Sequence, residues 1–502
     1  LASSNGNGTK MSGDKHQRYL DDNSNADVPL DRFGRSCVHR SRTSSGSSCC
    51  VRLQNYVDAD LQSVNKDAIL DKIMQVESEL ARVAAVASSG TKDSREGTVS
   101  DIRLYPRYWI ETSSPKESDI VSGNDGMHSE ECDSKSSFTV AQFNTLARGL
   151  SSGPDYLCFT PFPKDDSRKG NTEYYGGFIE CQNPEVVLDY DRVRKWRLLH
   201  VLLGGGLHME EVEKRDLKPE FDIIAMEEVD QFNSFFRQVL LNDNGDKEQS
   251  SENKGVESLN RYCGVFEPKP NSPCVSFGWY SDGVALLWNL DKFQTISKTP
   301  NSDPWVESDS FEGGQNQVYV IVPLQIKDTQ KCIVVAATHL KAKKSQANEQ
   351  IRKGQASELR YRAEKMAASL KEQGWKDVSI LIAGDFNSEP SSAAVRCILS
   401  EEECNSEKET PWKFQSAYPP HKMGQPQQYN LYTTWKTRKS GMTRRIIDYI
   451  FYSSHQAEEK GGDGIHCSHY LSIPKDSEVE PGHFPGFRYP SDHLLIAAKF
   501  QY

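Results

Sequence analysis

The stretch Ser379-Ile380-Leu381-Ile382-Ala383-Gly384-Asp385-Phe386-Asn387 ends an apolar run with an acid and an amide two residues apart. A short apolar run closed by glycine predicts a buried strand. Side chains alternate faces along a strand, so Asp385 and Asn387 are expected to point the same way, off its carboxyl end. Ligands of open α/β sheets usually bind at that end. There Asp385 could take a proton from water, while the Asn387 amide, donor and acceptor at once, fixes the geometry. The competing reading is an Asx-type turn that merely closes the strand.

The pattern recurs. Asn144, Glu228, His339, Asp448 and His493 also follow or end strongly apolar runs. Buried carboxylates and imidazoles are costly unless they find partners. One such residue is readily explained as a satisfied turn or core group; seven at corresponding strand ends are not. If the ends meet, they gather oxygens and imidazoles with little thiolate, a donor set suited to Mg²⁺ or Mn²⁺ rather than zinc. Thr338-His339-Leu340-Lys341 adds a cation two residues beyond an imidazole, and Ser491-Asp492-His493 sets an acid beside one. Asp448 lies within the apolar Ile447-Asp448-Tyr449-Ile450 and needs a donor, for which a histidine N–H is the usual choice. We therefore expect Asp448 to pair with His493.

The elements that must carry these residues can be read from the same periodicities. Strands are expected at Phe138–Asn144, Phe221–Met226, Gly283–Trp288, Val318–Ile326, Cys332–Thr338, Ile446–Tyr452 and Leu494–Phe500, and helices at Asp191–Leu203 and Ala347–Glu372. Strands and helices interleave without a repeated βαβ period, which predicts mixed sheets covered by helices in one domain over 138–502. Ahead of it lie a polar tail over 1–66, a short amphipathic helix over 67–87 and a linker over 88–137. Five apolar positions at spacings of four and three are too few for a coiled coil, so the helix is expected to dock on the domain or form only transiently. Asn242–Leu259 is acidic and reads as a surface insertion.

A formal net charge of −11 argues against a surface coated with nucleic acid, though not against a small basic pocket. The twelve cysteines include no CxxC pair and fit a reducing compartment. No apolar stretch approaches the ~20 residues needed to cross a bilayer. Residues 33–56 are rich in Arg and Ser and hold no acid, the composition of an organelle transit peptide. A cytoplasmic location with a mitochondrial fraction is expected, and a monomer. The first residue is Leu1, so a start further upstream is expected.

Phe143-Asn144, Glu227-Glu228-Val229, Ala337-Thr338-His339-Leu340, Gly384-Asp385-Phe386-Asn387, Ile447-Asp448-Tyr449 and Ser491-Asp492-His493 occur in an order that resembles the endonuclease/exonuclease/phosphatase superfamily, over about residues 138–502. The resemblance implies an α/β fold, a four-layer sandwich of two mixed β-sheets flanked by helices, and Mg²⁺-dependent hydrolysis of a phosphate ester. It implies Glu228 as first metal ligand, Asn144 beside it as ligand or phosphate donor, and Asp492 in the metal shell. Asp385 and Asn387 would orient and deprotonate water; His493, held by Asp448, and His339 would donate to the phosphoryl group. Lys269, Lys341, Lys343 and Arg438 would bind substrate. Two departures stand out. Relatives carry Gln where this chain has Glu227, and often Arg at Lys343, whose ammonium lacks the bidentate fork.

Glu267–Cys274, His339–Lys343, Tyr432–Arg438 and Tyr489–His493 resemble one branch of the family in particular. That branch implies removal of the 2′-phosphate of NADP⁺ and NADPH. Related members instead remove poly(A) from mRNA in the 3′-to-5′ direction, and a non-catalytic mRNA-binding factor could use the same pocket. Residues 1–137 hold no leucine-rich repeat of the kind the mRNA enzymes carry, and the acidity disfavours tracking a long polyanion. NADP(H) is therefore the expected substrate.

Overall fold

Alternating apolar side chains give each central strand two faces to bury, and their destinations define the architecture. The computed structural model describes residues 66–89, 102–112, 137–151, 177–207, 220–242, 259–276, 279–299, 302–313, 315–400, 412–418, 431–455 and 464–502, all within one unit, Arg52–Tyr502. The polar tail up to residue 65, the Arg/Ser-rich 33–56 and the insertion at 243–258 lie outside the described residues.

One seven-stranded sheet runs β1 (Trp109–Glu111), β15 (His466–Leu471), β16 (Ile496–Gln501), β2 (Ser137–Asn144), β3 (Ile223–Glu227), β5 (Gly283–Asn289) and β4 (Tyr262–Pro268). The other runs β11 (Trp412–Ser416), β14 (Asp448–His455), β10 (Asp377–Asp385), β9 (Lys331–His339), β8 (Val318–Ile326) and β6 (Phe293–Thr295), with β7 (Glu307–Ser310) also on β8. β12 (Thr434–Arg438) and β13 (Gly441–Arg445) form a separate hairpin. Parallel pairs β2–β3 and β9–β10 lie among antiparallel ones, so both sheets are mixed.

Ile223 and Ala225 of β3 face Val320 of β8, Leu381 and Ala383 of β10 and Ile450 of β14 in a core between the sheets. Their neighbours Ile224 and Met226 turn outward into a second core shared with helices Lys66–Ser89 and Lys195–Leu202. Ile380 and Ile382 turn outward under helix Gln346–Glu372. The order helix, sheet, sheet, helix is the four-layer α/β sandwich.

Helix Lys66–Ser89 docks through Ile69, Ile73, Val76, Leu80 and Ala84, each nearly inaccessible. Burying such a leucine or isoleucine stabilises by roughly 1.5–3 kcal/mol. Its Glu77 accepts from Arg197 Nε at 3.2 Å and meets His200 Nδ1 at 3.1 Å. Arg197 also donates to the Ile102 carbonyl at 3.0 Å and to Phe487 O, tying this helix to the loop that leads to the Ser-Asp-His string. The stretch expected as a linker differs over 102–112. Leu104 and Tyr105 are buried, β1 pairs with β15, and Arg107 donates to the Leu495 carbonyl at 3.1 Å. Three residues on a sheet edge leave too short an alternation to be read from sequence. The Asp191–Leu203 helix opens with a π turn, Tyr190–Arg194, before the α-helix Lys195–Leu202.

Cys181, Cys274, Cys332 and Cys467 are unbridged thiols, whereas Cys397 is disulfide-bonded, which the spacing did not suggest. Among the described residues no helix is long and apolar enough to cross a membrane.

Candidate active site

The alternation that builds the inter-sheet core also places the polar residues. Val140, Ile223, Ala225, Val335, Ala337, Leu381, Ala383 and Ile450 point between the sheets. Continuing by twos along β2, β3, β9, β10 and β14 brings Asn144, Glu227, His339, Asp385 and Asp448 onto the same side at one end of the sandwich. Register then sets them shoulder to shoulder. Asp385 stands between His339 on β9 and Asp448 on β14, while Asn144 is opposite Glu227. Apolar strand bodies thus carry a polar cluster at their tips.

The side chains close on one another. Asn144 Nδ2 donates to Asp385 Oδ2 at 3.1 Å, linking the two sheets. His493 Nδ1 donates to both oxygens of Asp448, at 3.1 and 3.0 Å, and lies 3.9 Å from Asp385 Oδ2. The expected Asp448–His493 pair is present. Asn387 Nδ2 reaches His339 Nε2 at 2.9 Å and the Leu340 carbonyl at 3.1 Å.

Asn387 reaches that position differently from the sequence expectation. β10 ends at Asp385, and Asn387 adopts a left-handed backbone (φ 51) with its N–H donating 2.8 Å to Asp385 Oδ1. The Asx turn and the site are therefore the same structure, because Asp385 both closes its strand and serves the cluster.

Burial and the neighbouring Asp448 push the Asp385 carboxyl up to about 7. Burial works against a charged His493, but Asp448, with Asp492 and Asp385, outweighs it and pushes the imidazole up to about 9. His339 goes the other way: burial, Lys269 and His493 hold it well below its ordinary value. A neutral His339 that accepts from Asn387 at Nε2 carries its proton on Nδ1, which is buried without a hydrogen-bond partner.

Asp385, Asp448 and His493 each offer one ligand atom within 4.8 Å of the others, a group able to hold a metal ion. Two carboxylates with a single imidazole, and the buried, unbonded Asp492 Oδ1 next in sequence to His493, suit a hard divalent cation. This group is not the set Glu228, Asn144 and Asp492 assigned from sequence. Asn144 touches it through Asp385; Glu228, half-buried beyond β3, accepts from Ala147 N at 3.3 Å. Asp492 Oδ2 takes Lys436 Nζ, and Arg438 Nη2 at 3.3 Å. Lys436, with His493 and Arg438, holds that carboxyl well below the usual range despite burial.

Of the expected substrate cations, Lys269 is buried with its ammonium 2.5 Å from Asp282 Oδ2. Burial would lower it, but Asp282 and Glu228 raise it. Lys341 and Lys343 occupy the turn leaving His339, half-buried and exposed respectively. Arg438 lies over the Phe178 ring at 4.4 Å. Sequence reading passed over Lys436, although it lies inside the matched Tyr432–Arg438 string; its alternation with Arg438 on one strand face was the available signal.

Glu227, which stands where relatives carry Gln, is inaccessible, accepting from Gln142 Nε2 at 2.7 Å, and Gln142 also donates to Asp448 Oδ1 at 3.0 Å. Burial, with Asp448 and Asp385, pushes the Glu227 carboxyl well above its ordinary value. A raised acid pKa contributes stability at low pH that is lost as pH rises through the folded value. Glu227→Gln is therefore expected to raise Tm relative to wild type at pH 8.5 and to leave it nearly unchanged at pH 5. A variant that melts lower at pH 8.5 would show that Glu227 is ionised and used.

Residues 183–493 match the endonuclease/exonuclease/phosphatase family, and the chain belongs to it. Within that family it is similar to nocturnin. The mouse protein is 28% identical over 330 residues, which cover 62% of this chain and 65% of the relative, so the match spans just under two thirds of that protein's length. The Candida albicans CCR4-Not complex 3′-5′-exoribonuclease subunit Ccr4 is 25% identical over 83% of this chain and 48% of its own. The human nocturnin catalytic domain, solved with a sulfate anion, aligns with a TM-score of 0.43 and 21% identity, covering 73% of this chain and 94% of that one.

Proposed function

We propose that the protein is a Mg²⁺-dependent phosphatase that removes the 2′-phosphate of NADP⁺ and NADPH, giving NAD⁺ and NADH. The observation that carries this reading is the buried Asp385–Asp448–His493 group, closed against Asn144 and bordered by cations. Mg²⁺, held by Glu228, Asn144 and Asp492 around that group, would neutralise charge on the phosphoryl oxygens. Asp385, with its carboxyl pushed up to about 7, is placed to accept a proton from a water that Asn387 orients. His493, fixed in ring orientation by Asp448, would donate through Nε2 toward the phosphoryl group, with His339 on the other side. Lys269, Lys341, Lys343 and Arg438 supply positive charge for a compact dinucleotide.

A second reading, 3′-to-5′ removal of poly(A), is favoured by the long match to the Ccr4 subunit. The two separate in one experiment. The protein is incubated with Mg²⁺ and NADPH, or with Mg²⁺ and a poly(A) oligonucleotide, while phosphate release and shortening are followed. Release without shortening is expected. Shortening without release transfers the assignment to the exoribonuclease, and neither from folded protein transfers it to an mRNA-binding factor.

A further inference from the structure

We propose that Arg352 is a positioning residue that sets the ammonium groups of Lys341 and Lys343 for the substrate phosphate, by gripping the backbone of the turn that carries them. Arg352 lies near the start of helix Gln346–Glu372 and is only 4% exposed. Its Nη1 donates to the Lys341 carbonyl at 2.9 Å and to the Lys343 carbonyl at 3.0 Å. Neighbours on the same helix close the grip. Asn348 Nδ2 donates to the Lys343 carbonyl at 3.2 Å, and Gln355 Oε1 accepts from Lys341 N at 3.0 Å. At the root of the turn, Leu340 N donates to the Asp385 carbonyl at 2.9 Å. Lys343 adopts a φ of 73, a left-handed backbone that a lysine keeps only where its surroundings fix it.

The other edge of the guanidinium holds the neighbouring segment of the site. Nε and Nη2 close on Glu349 Oε2 at 3.0 and 2.6 Å. The same oxygen accepts from Ser388 Oγ at 3.3 Å, and Ser388 directly follows Asn387. One ion pair thus fixes both the turn with its two cations and the chain just beyond Asp385 and Asn387. A lysine at 352 could still meet Glu349, but its ammonium is a point charge without the planar fork that also spans two carbonyls. Lysine side chains lose much rotamer freedom when they hold a ligand, so a fixed stem is what keeps their charge available at one place. Arg352 itself is buried and turned toward protein groups; it acts through Lys341 and Lys343. The inference rests on the phosphoester reading above, which gives those lysines their role, but not on which ester is cleaved.

The test uses the full chain with Mg²⁺ and inorganic orthophosphate as probe. Binding is measured calorimetrically, phosphate release from NADPH is followed in parallel, and each variant is denatured chemically to check its fold. Arg352→Lys keeps the charge beside Glu349 and is expected to weaken orthophosphate binding by about 10-fold, within the range that a misplaced binding group costs. Arg352→Met/Glu349→Gln removes the pair without stranding a charge, and should fold yet bind at least as weakly. The deciding comparison is Arg352→Lys in a Lys341→Met/Lys343→Met background, itself weakened, where it should have no further effect. A residue that only supports the fold would cost the same in both backgrounds. Unchanged binding in Arg352→Lys, equal losses in the two backgrounds, no loss on removing both lysines, or no orthophosphate binding by wild type would each overturn the proposal. Coupled losses in a protein that releases nothing from NADPH would keep it and reject that substrate.

Discussion

Glu228→Ala is expected to lower turnover by on the order of 10³-fold or more while the protein still folds, because the carboxylate is asked to hold charge that matters only in the reaction. Glu228 directly follows β3 and is half-buried, and its side chain takes one hydrogen bond, from Ala147 N at 3.3 Å. Losing that single contact should cost no more than about 1 kcal/mol. The Glu228 charge is also among those that raise the Asp385 carboxyl. Glu228→Gln, which keeps the shape and removes the charge, should be nearly as inactive. Phosphate release across a Mg²⁺ titration, with a chemical denaturation curve for each variant, checks both halves. Activity within tenfold of wild type would remove Glu228 from the site, whereas lost activity with lost folding would make it structural.

Gly384→Ala is expected to destabilise by roughly 3–5 kcal/mol and to abolish activity with it, an effect in the rare upper range for one methyl group. Gly384 adopts a φ of +155 one residue before Asp385, and an added Cβ would lie 2.0 Å from the Thr338 carbonyl oxygen and 3.0 Å from its carbon. Those atoms are backbone of β9, locked in parallel register with β10 by Gly384↔Thr338 and Asp385↔His339. A side chain could rotate away; a paired strand cannot, except by parting His339 from Asp385. Gly354, inside helix Gln346–Glu372 with open space where its Cβ would go, is the control. Gly354→Ala should be neutral or stabilising by up to about 1 kcal/mol. Denaturant midpoints for the two variants decide the matter, and a Gly384→Ala protein as stable as the control would sink the packing argument.

Much of the site could be read before any coordinates. Each of Asn144, His339, Asp385 and Asp448 ends or begins an apolar run, and a period of two converts that into a shared face. The Asp448–His493 pair followed from the cost of an unpartnered buried acid. Lys436, Gln142 and Glu227 were harder. Gln142 bridges Glu227 and Asp448, partners 85 and 306 residues away, and nothing local to an alternating strand announces such a contact. Glu228, Asn144 and Asp492 are the metal ligands the resemblance implies, and nothing local announced that ligand atoms of Asp385, Asp448 and His493 would lie within 4.8 Å of one another.

Residue order alone settled which side chains are polar at strand tips and which faces are apolar, and hence that mixed sheets are covered by helices; the sandwich of two sheets came from the family resemblance. Those properties are short-ranged, set by alternation and by the price of burying charge. Which tips adjoin, whether an acid is ionised, and where the 66–89 helix and the 102–112 segment come to rest depended on strand register and on neighbours brought from hundreds of residues away. Only the folded chain supplies those distances, and electrostatic effects in a buried cluster follow distance rather than sequence.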